Sequence, residues 1–194
     1  YLDDKCAEID RAVEAAEGSI EEYKAYKESI VSHAVTKGLE KHAEMKDSGV
    51  EWLGNVPKSW KILPSKQVFF ESKEKRHSTD ERLTPSQNYG VVSQLEYMRM
   101  TGSKIVLADK GLDDWKHIEP NDFIISLRSF QGGLEMSRVI GCVTWHYIVT
   151  RARKPICFDY FRFAFKSTRY IDALRSTCQY LRDGQDLRFS NFIQ

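Results

Sequence analysis

The sequence predicts an α+β protein, a long N-terminal helix of coiled-coil type followed by a globular domain of mixed helices and strands. Three observations predict it. Leu2, Cys6, Ile9, Val13, Ala16, Ile20, Tyr23, Lys27, Ile30 and Ala34 recur at alternating spacings of four and three, the period of a coiled-coil seam, interrupted only by Lys27. Beyond residue 44 come short apolar, β-branched or aromatic runs such as Phe123–Leu127, set off by turn residues. Those runs show no regular βαβ alternation, which favours α+β over a doubly wound sheet.

The elements follow in order. Asp3 and Asp4 occupy the first helical turn, where the dipole favours carboxylates. Thr36-Lys37-Gly38-Leu39 offers a C-terminal cation, a glycine for a left-handed cap and an apolar residue beyond it. At about 1.5 Å per residue the helix runs roughly 50 Å, longer than a globular core needs. It reads as a strut that pairs with another long helix; the alternative is a long helix lying on its own domain. The expected boundaries are 1–44 for this spacer and dimerisation helix and 45–194 for the body.

Glu40–Ser48 is polar and reads as a linker or a frayed extension of the helix. Between Met45 and Trp60, two Trp, two Gly and a Pro predict an ordered elbow anchored on the body by Trp52 and Trp60. Lys61–Leu63 is a short strand candidate, with Val68–Glu71 continuing the apolar face. Lys73–Asn88 is the most polar run and reads as an exposed basic loop, with Thr84-Pro85-Ser86 as a turn. Tyr89–Met100 has no single period. Ile105–Ala108 is a strand candidate, Glu119-Pro120-Asn121-Asp122 a turn, Phe123–Leu127 a strand and Arg128–Gly133 a glycine loop. Val139–Arg153 is expected as a strand or bent strand. Asp159–Phe165 alternates aromatic and polar residues, and Tyr170, Ile171, Leu174, Cys178 and Leu181 have helical spacing, with the end near Asp183-Gly184.

Composition bounds the function. The 194 residues are 41% hydrophobic and 29% charged, and no apolar run approaches the roughly 18 residues of a membrane span. No signal-peptide pattern opens the chain. Cys6, Cys142, Cys157 and Cys178 are scattered without a C-x-x-C pair, which suits reduced thiols in a cytosolic protein. The first and last residues fall inside patterns without closing signals, as expected of a piece of something longer. Residues 1–50 hold seven Lys/Arg against twelve Asp/Glu, and the remainder twenty-two against sixteen. An acidic strut carrying a basic body is the asymmetry expected where the body meets a polyanion.

No phosphate loop, nucleophile elbow or zinc helix is present in the sequence. The five histidines, His33, His42, His77, His117 and His146, read as isolated residues rather than ligands, and Asp109, Asp113 and Asp114 as surface charges. Two loops carry side chains suited to DNA. Arg bridges guanine O6 and N7, and Gln or Asn bridges adenine N6 and N7, while Lys and Arg elsewhere hold phosphates. In the first loop Lys73, Lys75, Arg76 and Arg82 are phosphate candidates, and Gln87 and Asn88 can reach bases. In the second, Arg128, Ser129 and Gln131 precede Gly132 and Gly133, which let backbone approach closely, and Arg138 lies just beyond.

Tyr1-Leu2-Asp3, Lys5-Cys6 and Ile9-Asp10, then Ile30–Leu39, then Met45–Trp60 resemble the central conserved region of the specificity subunit of type I restriction–modification enzymes. Leu127–Gly133 and Leu181–Phe192 are similar to stretches of that family's target-recognition domains. The resemblance implies a non-catalytic subunit that reads one half of a bipartite double-stranded DNA target and recruits modification and restriction subunits. S-adenosylmethionine, ATP and Mg²⁺ then belong to those partners, and no cofactor to this chain. The family pairs two recognition domains through two antiparallel helices, whereas this chain holds one of each, so a homodimer through the seam from Leu2 to Ala34 is expected. The competing class is a coiled-coil protein-interaction adaptor with a basic docking domain.

Overall fold

The computed structural model describes residues 1–105, 111–126, 133–177, 180–181, 184–185 and 187–193. Helix α1, Leu2–Lys37, is 36 residues long, about 54 Å at the rise of an α-helix. Of its residues only Val35 and Thr36 are buried. The apolar seam stands open to solvent, with Ile9 62% and Tyr23 73% exposed. The helix therefore projects from the body and does not lie along it. Its cap departs from expectation: Gly38 takes φ 78° but ψ −174°, and Leu39 is exposed instead of closing the cap.

The root of the helix is fixed by polar and aromatic contacts. The Tyr160 hydroxyl donates to Val35 O at 2.9 Å, and Lys37 Nζ donates to Asn55 O at 2.6 Å. Thr168 Oγ1 donates to the Glu28 carboxylate. The following segment is ordered and not a linker: β1, Met45–Asp47, pairs antiparallel with β2, Asn55–Pro57. Trp52 meets Tyr170 edge-on at 5.5 Å and Trp60 meets Tyr160 edge-on at 5.4 Å, so both tryptophans anchor the elbow as expected. Lys61–Leu63 is exposed irregular chain, not a strand, because no neighbour among the described residues pairs with it.

The body is built on a four-stranded antiparallel sheet. After the single turn α2 (Ser65–Val68) its strands are β3 (Phe69–Ser72), β7 (Phe123–Ser126), β8 (Glu135–Met136) and β10 (Tyr147–Ala152), in the order β3-β10-β7-β8. Both faces are covered. Phe123, Ile125 and Ile148 face one core with Phe69 of β3 and with Phe165, Leu174, Leu187 and Phe192, which lie in or beside helices α4 (Phe158–Ala164), α5 (Thr168–Ser176) and α6 (Phe189–Phe192). Ile124 and Val149 face a second core with Leu83, Val91, Ile118 and Val143. Strand β7 is thus apolar at successive positions, as a strand buried on both sides must be. Phe69 packs edge-on to Phe123, Phe161 and Phe192, centroids 5.1–5.9 Å apart.

The second core is closed by two ribbons. Strands β4 (Leu83–Ser86) and β5 (Gly90–Ser93) form a hairpin whose turn is Gln87–Tyr89, so Thr84-Pro85-Ser86 is strand and not turn. Strands β6 (Lys116–Ile118) and β9 (Gly141–Val143) form the other. Helix α3, Gln94–Thr101, resolves the mixed spacing after Tyr89; Ser93 caps it by accepting from Glu96 N at 3.1 Å, and Gly102 ends it in the left-handed region. Val139–Arg153 is two strands, β9 and β10, separated at Thr144–His146, and Asp159–Phe165 is mostly helix. Helix α5 stops at Ser176; Tyr180–Leu181 (β11) pairs with Gly184–Gln185 (β12) where the helix was expected to continue. The strand expected over 105–108 lies outside the described residues beyond Ile105.

Candidate nucleic-acid interface

Where the rod meets the body, a cleft of ≈ 720 Å³ opens between them. Lys24, Lys27, Glu28 and Val31 of α1 form one wall; Gln87, Asn88 and Tyr89 of the hairpin turn, Glu135 and Met136 of β8, Arg138, and Arg162, Lys166 and Thr168 near α4 and α5 form the other. Five cations line it against two carboxylates. Lys24 pairs with Glu21 at 2.7 Å, Arg162 with Asp159 at 3.8 Å, and Lys166 with Glu135 at 2.6 Å. Burial pushes the Glu135 carboxyl above the usual carboxylate range, while the bond and the charge of Lys166 oppose the shift. Lys27 and Arg138 have no carboxylate partner among the described residues.

The side chains expected to touch DNA are divided by this geometry. Gln87, Asn88 and Arg138 come together in the cleft. Lys73, Lys75, Arg76 and Arg82 do not join them, and they do not form a free loop. Lys75 bridges to Lys116 in backbone pairing and its Nζ stands 3.0 Å from Asp114 Oδ1. Arg76 N donates to Trp115 O, and its Nε is buried without a hydrogen-bond partner among the described residues. Arg82 pairs with Cys142 of β9. Lys73 is exposed. Arg128, Ser129, Gln131 and Gly132 lie outside the described residues. Gly133 has a packing reason for being glycine: at φ 79° a Cβ would stand 2.1 Å from Phe165 O.

Three groups, one in the cleft and two beside the 73–82 segment, escape a reading by residue type. Lys24 belongs to the long helix, Arg162 to a run of alternating aromatic and polar residues and Lys166 to the turn after it, and only tertiary structure turns them to one cleft. The base of the 73–82 segment is held by Arg151, which donates from Nε and Nη2 to both oxygens of buried Asp122 at 2.8 Å, and from Nη1 to Glu74 at 3.0 Å. These bonds hold the Arg151 guanidinium charged, and its bond to Glu74 is the main cause that lowers the Glu74 carboxyl pKa. The histidines are not all isolated: His77 and His117 stack with centroids 4.0 Å apart. Their separation along the chain hid the pair.

No helix among the described residues is long and apolar enough to cross a membrane. No family model matches the chain, and no curated protein matches it.

Proposed function

We propose that this chain reads one half of a bipartite DNA sequence as the specificity subunit of a cytoplasmic type I restriction–modification complex. The observation that carries the reading is the cleft at the root of the rod. There Lys24 and Lys27 face Arg138, Arg162 and Lys166 across a space that also holds Gln87 and Asn88. Cations of this kind take phosphates and fix orientation, while the two amides are suited to adenine edges. The rod sets the distance between half-sites because a helix transmits length at a fixed rise. Its seam of Leu2, Ile9, Val13, Ile20 and Ile30, each at least half exposed, supports pairing with a second long helix, here a second copy of the chain. Methylation and cleavage take place in modification and restriction subunits, which bring S-adenosylmethionine, ATP and Mg²⁺; this chain catalyses neither.

The test is methylation-site mapping with the reconstituted modification complex. Arg128→Ala, Gln131→Ala, Gln87→Ala and Asn88→Ala should change which sequence is methylated. Unchanged sequence choice and affinity in all four would overturn the assignment. The exposed seam by itself equally suits a coiled-coil adaptor whose basic body docks an acidic protein. Titration with random duplex DNA at low salt separates the two, since an adaptor shows no counterion-release slope.

A further inference from the structure

We propose that Glu74, His77 and His117 form a binding site for a divalent transition-metal ion of the zinc class. One ligand atom from each lies within 4.8 Å of the others. His77 Nε2 stands 3.2 Å from Glu74 Oε1, close to the edge of roughly 3.3 Å that a tetrahedron with Zn–N and Zn–O bonds of about 2.0–2.1 Å requires. The stacked rings point the same way. His117 Nδ1 is 2.8 Å and His77 Nδ1 4.0 Å from the Asp80 carboxylate, which leaves both Nε2 atoms on the side of Glu74 and Glu119.

Asp80 supplies what isolated histidines lack. Its side chain is only 2% exposed, and it accepts from His117 Nδ1 at 2.8 Å and from His77 N at 2.7 Å. Because a carboxylate only accepts, the His117 hydrogen sits on Nδ1, and in the neutral ring the lone pair sits on Nε2, facing the proposed ion. A carboxylate behind a ligating imidazole in this way orients the ring and raises its basicity. Glu119 Oε1, 3.8 Å from His117 Nε2, is within reach as a fourth donor. The main chain holds the two halves in register, with His117 N donating to Glu74 O and Arg76 N to Trp115 O, both at 3.0 Å.

Charge and donor type select the ion. Arg151 bonds both oxygens of Asp122 and one of Glu74 and stands 3.7 Å from Glu119, so the cluster sets four carboxylates, Glu74, Asp80, Glu119 and Asp122, against a single guanidinium around the two imidazoles. Two imidazoles with carboxylate suit Zn²⁺, Co²⁺ or Ni²⁺ and not Mg²⁺ or Ca²⁺, which take oxygen ligands. The ion would clip the segment following β3 to β6, fixing the start of the 73–82 basic stretch.

Calorimetric titration of the chelator-stripped full chain with Zn²⁺ tests this, with the visible spectrum of the Co²⁺-loaded protein reporting geometry. One ion per chain at low micromolar affinity or tighter, with a tetrahedral Co²⁺ band, is expected. His77→Ala, at an exposed ring, should keep the fold by circular dichroism and weaken binding at least tenfold. Asp80→Asn should weaken it roughly ten- to a hundredfold, the usual effect of removing an outer carboxylate. Affinity unchanged in His77→Ala, no saturable binding, or loss of binding instead in a His33→Ala, His42→Ala, His146→Ala chain would overturn the site.

Discussion

Replacing Lys27 and Arg138 with glutamine tests the cleft directly, because these two cations face it without carboxylate partners among the described residues. Each cation that neutralises a phosphate adds about 0.9 to the slope of log affinity against log salt. If all five cleft cations meet phosphates, the slope is roughly −4.5, and the affinity for duplex DNA falls roughly five-hundredfold between about 50 and 200 mM salt. The double variant keeps three contacts, so its slope is roughly −2.7 and its loss over the same range roughly fortyfold. Fluorescence anisotropy with a labelled duplex across that salt range measures both, and Lys5→Gln, at the far end of the rod beside Glu8, serves as the control. A slope unchanged in the double variant, or shifted as much by Lys5→Gln, would refute the argument that the cleft holds the phosphate backbone.

Three further outcomes follow from the packing and the titration of single groups. Gly133→Ala should destabilise the fold by about 3 kcal/mol or more in urea denaturation, since a left-handed backbone and a carbonyl at 2.1 Å both oppose a methyl group; a loss under about 1 kcal/mol would show that the turn yields. Tyr170→Phe should raise stability by about 1 kcal/mol, because its buried hydroxyl, whose pKa burial pushes up, finds no partner among the described residues; a loss would reveal one. Burial pushes the Cys142 thiol up from 9.0 to about 11, so the unfolded chain loses that proton first and stability should fall as pH rises through this window. Thiol titration should find Cys6 and Cys157 reactive in the folded protein and Cys142 only after unfolding; equal reaction of Cys142 would contradict its burial.

Much of the architecture is legible in the residues, and what is not has a physical cause. Nine spacings of four and three reveal α1 because a helix repeats locally, and Trp52 and Trp60 betray the elbow because two large aromatics in a Gly/Pro-rich span need a surface to cover. Strands of two to four residues, such as β8, β9 and β11, are too short to show a period, and their pairing depends on distant partners. The Thr84-Pro85-Ser86 misreading shows the same limit: proline is tolerated in an edge ribbon, and the hairpin's partner strand decides what is turn. In the site, Gln87, Asn88 and Arg138 are recognisable by residue type, whereas Lys24, Arg162 and Lys166 become neighbours only through the fold. Lys27, which interrupts the apolar seam, is explained by the same fold: there the rod turns a cation toward the body. His77 and His117 are forty positions apart and meet only because β6 pairs beside the segment after β3.

The rod is rooted in the body through its C-terminal turns, and that makes it a lever with a phase. Adding one residue between Tyr1 and Glu28 would advance everything upstream by about 1.5 Å and also turn it by about 100° around the axis. Length and bearing therefore cannot be tuned independently by single insertions. Evolution or engineering that altered the reach while keeping the apolar stripe on one side would have to work in steps of seven residues, each about 10.5 Å.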